Sequence, residues 1–349
     1  MGDPFGTAAL RAAVLDAWAA SPTRFREDAN AEEDLRLGGY ADAWLVELAQ
    51  NAADAARAAG VPGRLALALV ELPGWVELRV ANTGAPLDAA GVAALASLRA
   101  SAKRDDSGAV GLFGVGFAAV LPLSDAPRVV SRVDGAWGGV GFSADRTAQA
   151  VAGLPGPAAE LARRGEPPVL RLVWDLAELV AEVGAPGVPV PPEGYDTELR
   201  LPLRPGVDGT ALLQRAAATA ADLLLALPDL VEIAVADREP VRRAPGPGPD
   251  EVTVGGQRWL LARRTGTLDE QAARGQAAEQ RGRRSWSVCW ALPVTADGDP
   301  SPVVDDVLHA PTPTTERLGL PARLIATVPV EPDRRRVRPG PATDAVLAG

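Results

Sequence analysis

The stretch "GLFGVGFAAVL", residues 111–121, constrains this chain more than any other. Gly111, Gly114 and Gly116 crowd into one short run, and only a residue without a Cβ lets the backbone come so close to a partner. Two frames fit it. Read from Gly114, "GVGFAA" is the G-x-G-x-x-G/A dinucleotide fingerprint, with Asp134 about 20 residues further on, where a ribose-binding acid belongs. Read from Gly111, the same run is G-x-x-G-x-G, a phosphate loop of another kind. The flanks separate the two. A dinucleotide fold needs a strand before the loop and a long helix after it. Here the polar "ASAKRDDSG" comes first and leaves only "AVGLF" for a strand, while Pro122 and Pro127 cut short any helix beyond "FAAVL". An NAD(P)-binding Rossmann enzyme is kept only as a remote alternative.

Length sets the next bound. A chain of 349 residues with 47% hydrophobic content is long enough for about two domains, each with its own core. We expect an α+β fold with a boundary near residue 205. Residues 1–205 would form a sandwich of a mixed, mostly antiparallel sheet covered by helices, and 206–349 a smaller second α/β domain. Net charge of −10 argues against nucleic acid as a partner. A single cysteine, Cys289, permits no disulfide within the chain, and a single histidine, His309, removes most metal sites and most Ser/His/Asp designs. The amino-terminal stretch lacks a basic leader, and no apolar run reaches the roughly 18 residues of a membrane span, so no membrane is expected and the cytoplasm is the expected compartment. Of the 35 basic residues only Lys103 is a lysine. A lone lysine among arginines suggests a compact ammonium placed on a phosphate, against the plain alternative of chance survival.

Periodicity places the elements. Residues 7–20 and 40–59 read as helices, the second closed by Gly60 and Pro62. "RLALALVEL" and "WVELRVAN" flank Pro73 and Gly74 as a hairpin, and Asp88 caps a helix reaching about Arg99. "RVVSRV" and "WGGVGFS" make a second strand pair, a helix covers 146–164, and "PVLRLVWDL" and "TELRLPL" read as two further strands. A long helix from Asp208 to about Ala226 leads into "LVEIAVAD", "EVTVGGQRWLLARR", a polar helical stretch over 267–283, and strands "SWSVCWALPV" and "ARLIATVPV". The end, "PATDAVLAG", shows no closing element, as though the chain were the first part of something longer.

On the helix at 40–59, Glu47, Asn51 and Asp54 stand at i, i+4 and i+7 and share one stripe. Such a stripe is ordinarily the wet side of an amphipathic helix. Two features speak for chemistry instead: Asn is a poor residue within a helix, and no basic residue follows Glu47 at i+4 to pair with it. An amide oxygen at Asn51 suits Mg²⁺, a hard cation with oxygen ligands. A carboxylate one turn earlier, Glu47, could orient and deprotonate an attacking water. "RVANTGAP" then offers Asn82, Thr83 and Gly84 at a strand end, where a ring can approach the backbone, and Thr197 enters the strand "TELRLPL".

In this order the chain resembles the Bergerat-fold, or GHKL, ATPases: DNA gyrase, the ninety-kilodalton heat-shock chaperones, histidine kinases and MutL. "ELAQNAADA" matches the family's first box, E-x-x-x-N-x-x-D-A, "GLFGVGF" its glycine box, and "TELRLPL" its late threonine strand. The likeness is greatest to the heat-shock chaperones and to sacsin-type N-terminal ATPase regions, which also carry a "REDANAEEDL"-like lead-in, here at 26–35, and a late "GLP", here at 319–321. It covers 24–203 well and 308–338 loosely. The resemblance implies ATP and Mg²⁺ as ligands, Glu47 as general base, Asn51 as magnesium ligand and Asp54 as a pocket residue. Gly111, Gly114, Val115, Gly116 and Phe117 would hold phosphates through backbone under a lid at 101–113 that carries Lys103. Asn82, Gly84 and Thr197 would line the base, and Arg334, or its neighbours Arg335 and Arg336, would reach the γ-phosphate from the second domain. One departure matters: the second box usually begins with aspartate, and here it is Asn82, whose amide can accept from an adenine amino group or flip and donate to a guanine carbonyl. Pro86 also replaces that box's second glycine. The implied function is ATP hydrolysis driving a chaperone-like cycle on protein clients or on further domains of the same chain, with a homodimer left open. A nucleotide sensor that binds without turnover is the alternative. A histidine kinase would need a phosphoacceptor before the first box, and His309 is late and alone.

Overall fold

The computed structural model describes residues 3–38, 43–97, 116–133, 135–182, 190–274, 284–303, 306–331 and 335–348. It is α+β, and the chain divides into two compact units, Met1–Gln214 and Arg215–Gly349. The division falls inside a helix rather than at the expected 205.

The first unit opens with α1 (Thr7–Ala20) and α2 (Pro22–Leu37), the latter started by Pro22 in its first turn. α2 is the lead-in segment 26–35, whose polar composition concealed a helix. Its buried side mixes two acids, Asp28 and Glu32, with Phe25 and Ala29. Asp28 accepts from Trp18 Nε1 at 2.9 Å, and the Glu32 carboxylate receives the backbone N–H groups of Val169 and Leu170. Around them Trp18 meets Phe25 edge-on, centroids 4.9 Å apart, in a cluster with Val151, Leu172 and Trp174. These acids also correct the strand expected at "PVLRLVWDL". Its N–H groups at 169 and 170 are spent on Glu32, so only β5 (Trp174–Asp175) joins the sheet.

α3 (Trp44–Ala59) leads into the hairpin β1 (Gly63–Leu72) and β2 (Trp75–Asn82), followed by α4 (Ala89–Leu95) and a short 3₁₀ turn, Phe117–Val120. Asp88 caps α4 by accepting from the N–H of Gly91. β3 (Arg128–Val133) and β4 (Ala136–Gly141) come next. The helix expected over 146–164 is two, α5 (Ala144–Val151) and α6 (Pro155–Arg164). Pro155 has no N–H to continue the first and stands in the opening turn of the second. α7 (Leu176–Glu182) and β6 (Thr197–Pro202) complete the unit. The strand order is β1-β2-β6-β3-β4-β5, every pairing antiparallel. A doubly wound parallel sheet, which the Rossmann alternative requires, is not what these strands make.

α8 (Gly209–Ala226) runs from the first unit into the second. There follow β7 (Leu230–Val235), β8 (Val241–Pro245), β9 (Glu251–Val254), β10 (Gln257–Thr267), α9 (Glu270–Arg274), β11 (Ser285–Val294), β12 (Val307–His309), β13 (Pro313–Arg317), β14 (Arg323–Ala326) and α10 (Pro341–Leu347). The order is β13-β12-β14-β11-β10-β9-β8-β7, with β12 and β14 parallel. α9 covers only the start of the helix expected at 267–283, whose remainder from 275 lies outside the described residues. The terminus, expected to lack a closing element, folds as α10, and its Val346 is buried in the unit's core with Leu308 and Leu324.

Candidate functional site

α3 carries the first box. Trp44, Glu47, Asn51 and Asp54 share one stripe of the helix, and Glu47 and Asp54 are both buried. Asp54 is paired with Arg57 one turn on. The amide nitrogen of Asn51 is buried and has no hydrogen-bond partner among the described residues. Leaving a buried amide unsatisfied costs about 1–3 kcal/mol, and positions that tolerate such a cost are commonly completed by an ion, a water or a ligand.

The second box rests directly on this helix. Ala85 N–H donates to the carbonyl of Ala55 at 2.9 Å. Gly84 has φ +129, and a Cβ there would stand 2.4 Å from the carbonyl carbon of Ala55. Only glycine permits both that backbone and that approach. Ala55 is one turn beyond Asn51, so the turn 82–85 lies about 6 Å along the axis from the amide. Asp196 fixes the turn from the other side: its carboxylate accepts the Gly84 N–H at 2.9 Å, and its own N–H donates to the Asn82 carbonyl at 3.0 Å.

Asn82 and Thr197 are paired in register between β2 and β6, and Thr197 and Ser131 between β6 and β3. Residues directly opposite in an antiparallel sheet point to the same face. Asn82, Thr197 and Ser131 therefore form a polar row across three strands. Asn82 Nδ2 donates to the Thr83 carbonyl at 3.2 Å. The Ser131 and Thr197 hydroxyls are 2.8 Å apart, and Leu87 N–H donates to Ser131 Oγ at 2.9 Å. Ser131 and Asp196 were not foreseen. Ser131 had a signal in the sequence: in "RVVSRV" it occupies an inward position between Val129 and Val133, where a polar residue needs a reason.

Of the glycine loop, Gly116 and Phe117 are described. Gly116 has ordinary helical angles, φ −60 and ψ −39, and opens the 3₁₀ turn. Phe117 is buried with its ring centroid 5.9 Å from that of Phe142, and the turn packs against α3. Gly111, Gly114, Val115, Lys103, the lid at 101–113 and Asp134 lie outside the described residues, as does Arg334. Arg335 belongs to the second unit, where its carbonyl accepts from Thr315 N–H at 2.7 Å.

The lone histidine and cysteine are structural. His309 is buried 3.5 Å from Asp306, and Arg323 bridges Asp306 and Asp222. Burial, then the Arg323 charge, hold its imidazole below the usual range. Cys289 is buried in β11, and burial pushes its thiol up, away from reactivity. No group of metal-binding His, Cys, Asp and Glu side chains occurs among the described residues, and none of their helices is long and apolar enough to cross a membrane. The chain matches no protein-family model and no curated protein.

Proposed function

We propose that the first unit binds ATP with Mg²⁺ in a Bergerat-type pocket and hydrolyses it slowly, in a chaperone-like cycle whose work is done on protein clients. One observation carries the reading. Pieces of chain far apart in sequence meet at one helix: the second box sits on the backbone of α3 one turn past Asn51, Thr197 pairs with Asn82, and the turn opened by Gly116 packs on the same helix. Convergence of this kind is what a nucleotide site requires and what a solvated helix face does not.

The residues present fit a magnesium ion. Asn51 would hold it through Oδ1, while its buried Nδ2, a donor without a partner among the described residues, would meet a phosphate oxygen. Bound there, the ion would offset negative charge on the phosphate oxygens. Glu47 is a buried carboxylate on the same stripe, in a position to take a proton from water. Asn82 and Thr197 present polar groups to the base, and Phe117 supplies a buried apolar wall.

Titration calorimetry of the full chain with Mg²⁺ and a non-hydrolysable ATP analogue tests the pocket, and Glu47→Ala tests the chemistry. The analogue should bind wild type and variant alike, while turnover falls by about 10²–10⁴-fold in the variant. Absence of binding at about millimolar ligand would remove the reading. A low basal rate left unchanged by Glu47→Ala would make the site a sensor instead of an ATPase.

A further inference from the structure

We propose that the first unit carries an anion-binding site on the face of β2, β6 and β3 opposite Asn82, Thr197 and Ser131, where Arg128, with Arg200 and Arg79 in line beside it, takes one phosphate-type oxyanion. No residue of this row belongs to the nucleotide site proposed above, so either reading can fail without the other.

Register sets three arginines in one row. Arg79 stands directly opposite Arg200 between β2 and β6, and Arg200 directly opposite Arg128 between β6 and β3. Such neighbours share a face with Cβ atoms about 4.5–5.5 Å apart, and like charges so placed repel. A row of this kind is unfavourable unless negative charge is set among its members.

The described chain sets two carboxylates there for the three guanidinium groups. Glu77 accepts from Arg79 Nε at 2.8 Å, and Glu198 accepts from Arg200 Nε at 2.6 Å. Arg200 Nη2 also donates to the Val190 carbonyl at 3.2 Å. Each acid is thus held by the arginine two residues along its own strand. Arg128 is left over, with no hydrogen-bond or ion-pair partner among the described residues.

The surplus charge does not stand in bulk water. Arg128 is partly buried; burial pushes its guanidinium down, Glu77 pulls it up, and Arg200 pushes it down again. Its stem lies beside Gly141, the facing residue of β4, where an added Cβ would stand 3.3 Å from Arg128 Cγ and 2.4 Å from Leu179 Cδ1. The missing side chain leaves space for the arginine. A guanidinium presents five N–H donors in a planar fork, which two oxygens of one phosphate match and a chloride does not. Arg200 Nη1 and both Nη atoms of Arg79 also lack partners among the described residues. An oxyanion among these donors turns mutual repulsion into shared attraction and balances the row.

The test is thermal melting of the full chain at one pH and one ionic strength, with chloride replaced stepwise by inorganic phosphate, for wild type, Arg128→Gln and Arg128→Lys. Phosphate raises most protein transitions through exclusion from the surface. The quantity read is therefore the excess rise of wild type over each variant. Filling a site present only in the folded state should give wild type an excess of about 3–6 °C over Arg128→Gln. In chloride Arg128→Gln should melt no lower than wild type, because it removes a charge that Arg200 repels. Arg128→Lys keeps the charge without the fork, so it should melt with wild type in chloride and lose most of the excess in phosphate. If Arg128→Gln does not fold, Arg128→Lys is read in its place. An equal rise in wild type and variants would place any phosphate elsewhere and overturn the proposal. Melting of Arg128→Gln well below wild type in chloride would overturn it too, since the arginine would then be stabilising the fold without an anion.

Discussion

Gly84→Ala is the sharpest probe of how the site is built. A Cβ at 84 would lie 2.4 Å from the carbonyl carbon of Ala55, 2.6 Å from its oxygen and 2.6 Å from the nitrogen of Ala56, all backbone in the body of α3. No side chain can swing aside to relieve it. If the turn stays where it is, alanine at φ +129 costs about 1–3 kcal/mol in backbone strain, and the overlap costs about 1–3 kcal/mol more. If the turn lifts away, Ala85 N–H leaves the Ala55 carbonyl and Gly84 N–H leaves the Asp196 carboxylate. Those bonds are together worth roughly 2–4 kcal/mol. Both routes converge on a loss of about 2–5 kcal/mol, which in a unit of this size lowers the melting temperature by roughly 5–15 °C. The second route also carries Asn82 with it, so ATP affinity should fall. Gly74→Ala is the control: its φ is +95 but nothing lies within 4 Å of the added Cβ, so it bears only the conformational cost. The assay is calorimetric and circular-dichroism melting of both variants with and without nucleotide. A Gly84→Ala protein that melts with Gly74→Ala, or that keeps wild-type ATP affinity, would refute the packing of the second box on α3.

Three further outcomes are expected. Asp88→Ala removes the cap on Gly91 N–H and should cost about 1 kcal/mol, recovered in Asp88→Asn; equal stability of all three by urea titration would show that the cap contributes nothing. Burial raises the Glu32 carboxyl from 4.5 to about 7, so folding takes up a proton, and the first unit should gain stability as pH falls from 7 toward 4.5 and lose it on the return. His309 is held below its usual 6.5, so its unfolded form protonates first, and the second unit should lose stability as pH falls below 6.5. Calorimetric transitions that move in the same direction between pH 7 and 5, or opposite shifts that persist in Glu32→Gln and His309→Gln, would contradict this.

Where neighbours in sequence are neighbours in space, the chain is easy to read. α1, the β1–β2 hairpin and the Asp88 cap appear where periodicity and capping chemistry put them. α2 is harder because its buried side includes Asp28 and Glu32, which look like a wet face until their partners, Val169, Leu170 and Arg171, arrive from far along the chain. β12 and β13 are short strands defined by long-range pairing, with little local pattern of their own. At the candidate site, residue types on α3 announced themselves by spacing. Ser131 and Asp196 could only be recognised once register set them beside Thr197 and Gly84.

That register has a cause on the other face of the same strands. Leu78, Val80 and Asn82, Thr197, Leu199 and Leu201, and Val129 and Ser131 share one face; Glu77 and Arg79, Glu198 and Arg200, and Arg128 share the other. Glu77 and Glu198 are 2% and 1% exposed, so their charges must be met within the protein. Arg79 Nε donates to Glu77 at 2.8 Å and Arg200 Nε to Glu198 at 2.6 Å. Burial nonetheless pushes the Glu198 carboxyl up and the Arg128 guanidinium down, and buried ion pairs in general contribute little net stability. What these charges do provide is discrimination between pairings. A slip of β6 by one residue would turn Glu198 and Arg200 into the apolar face and Leu199 and Leu201 out of it. Both partners of that pair lie on β6, so the slip would carry it intact among the leucines, away from Glu77 and Arg79, and burying an ion pair in apolar surroundings costs several kcal/mol. The charged face thereby favours the one register that sets Thr197 between Asn82 and Ser131.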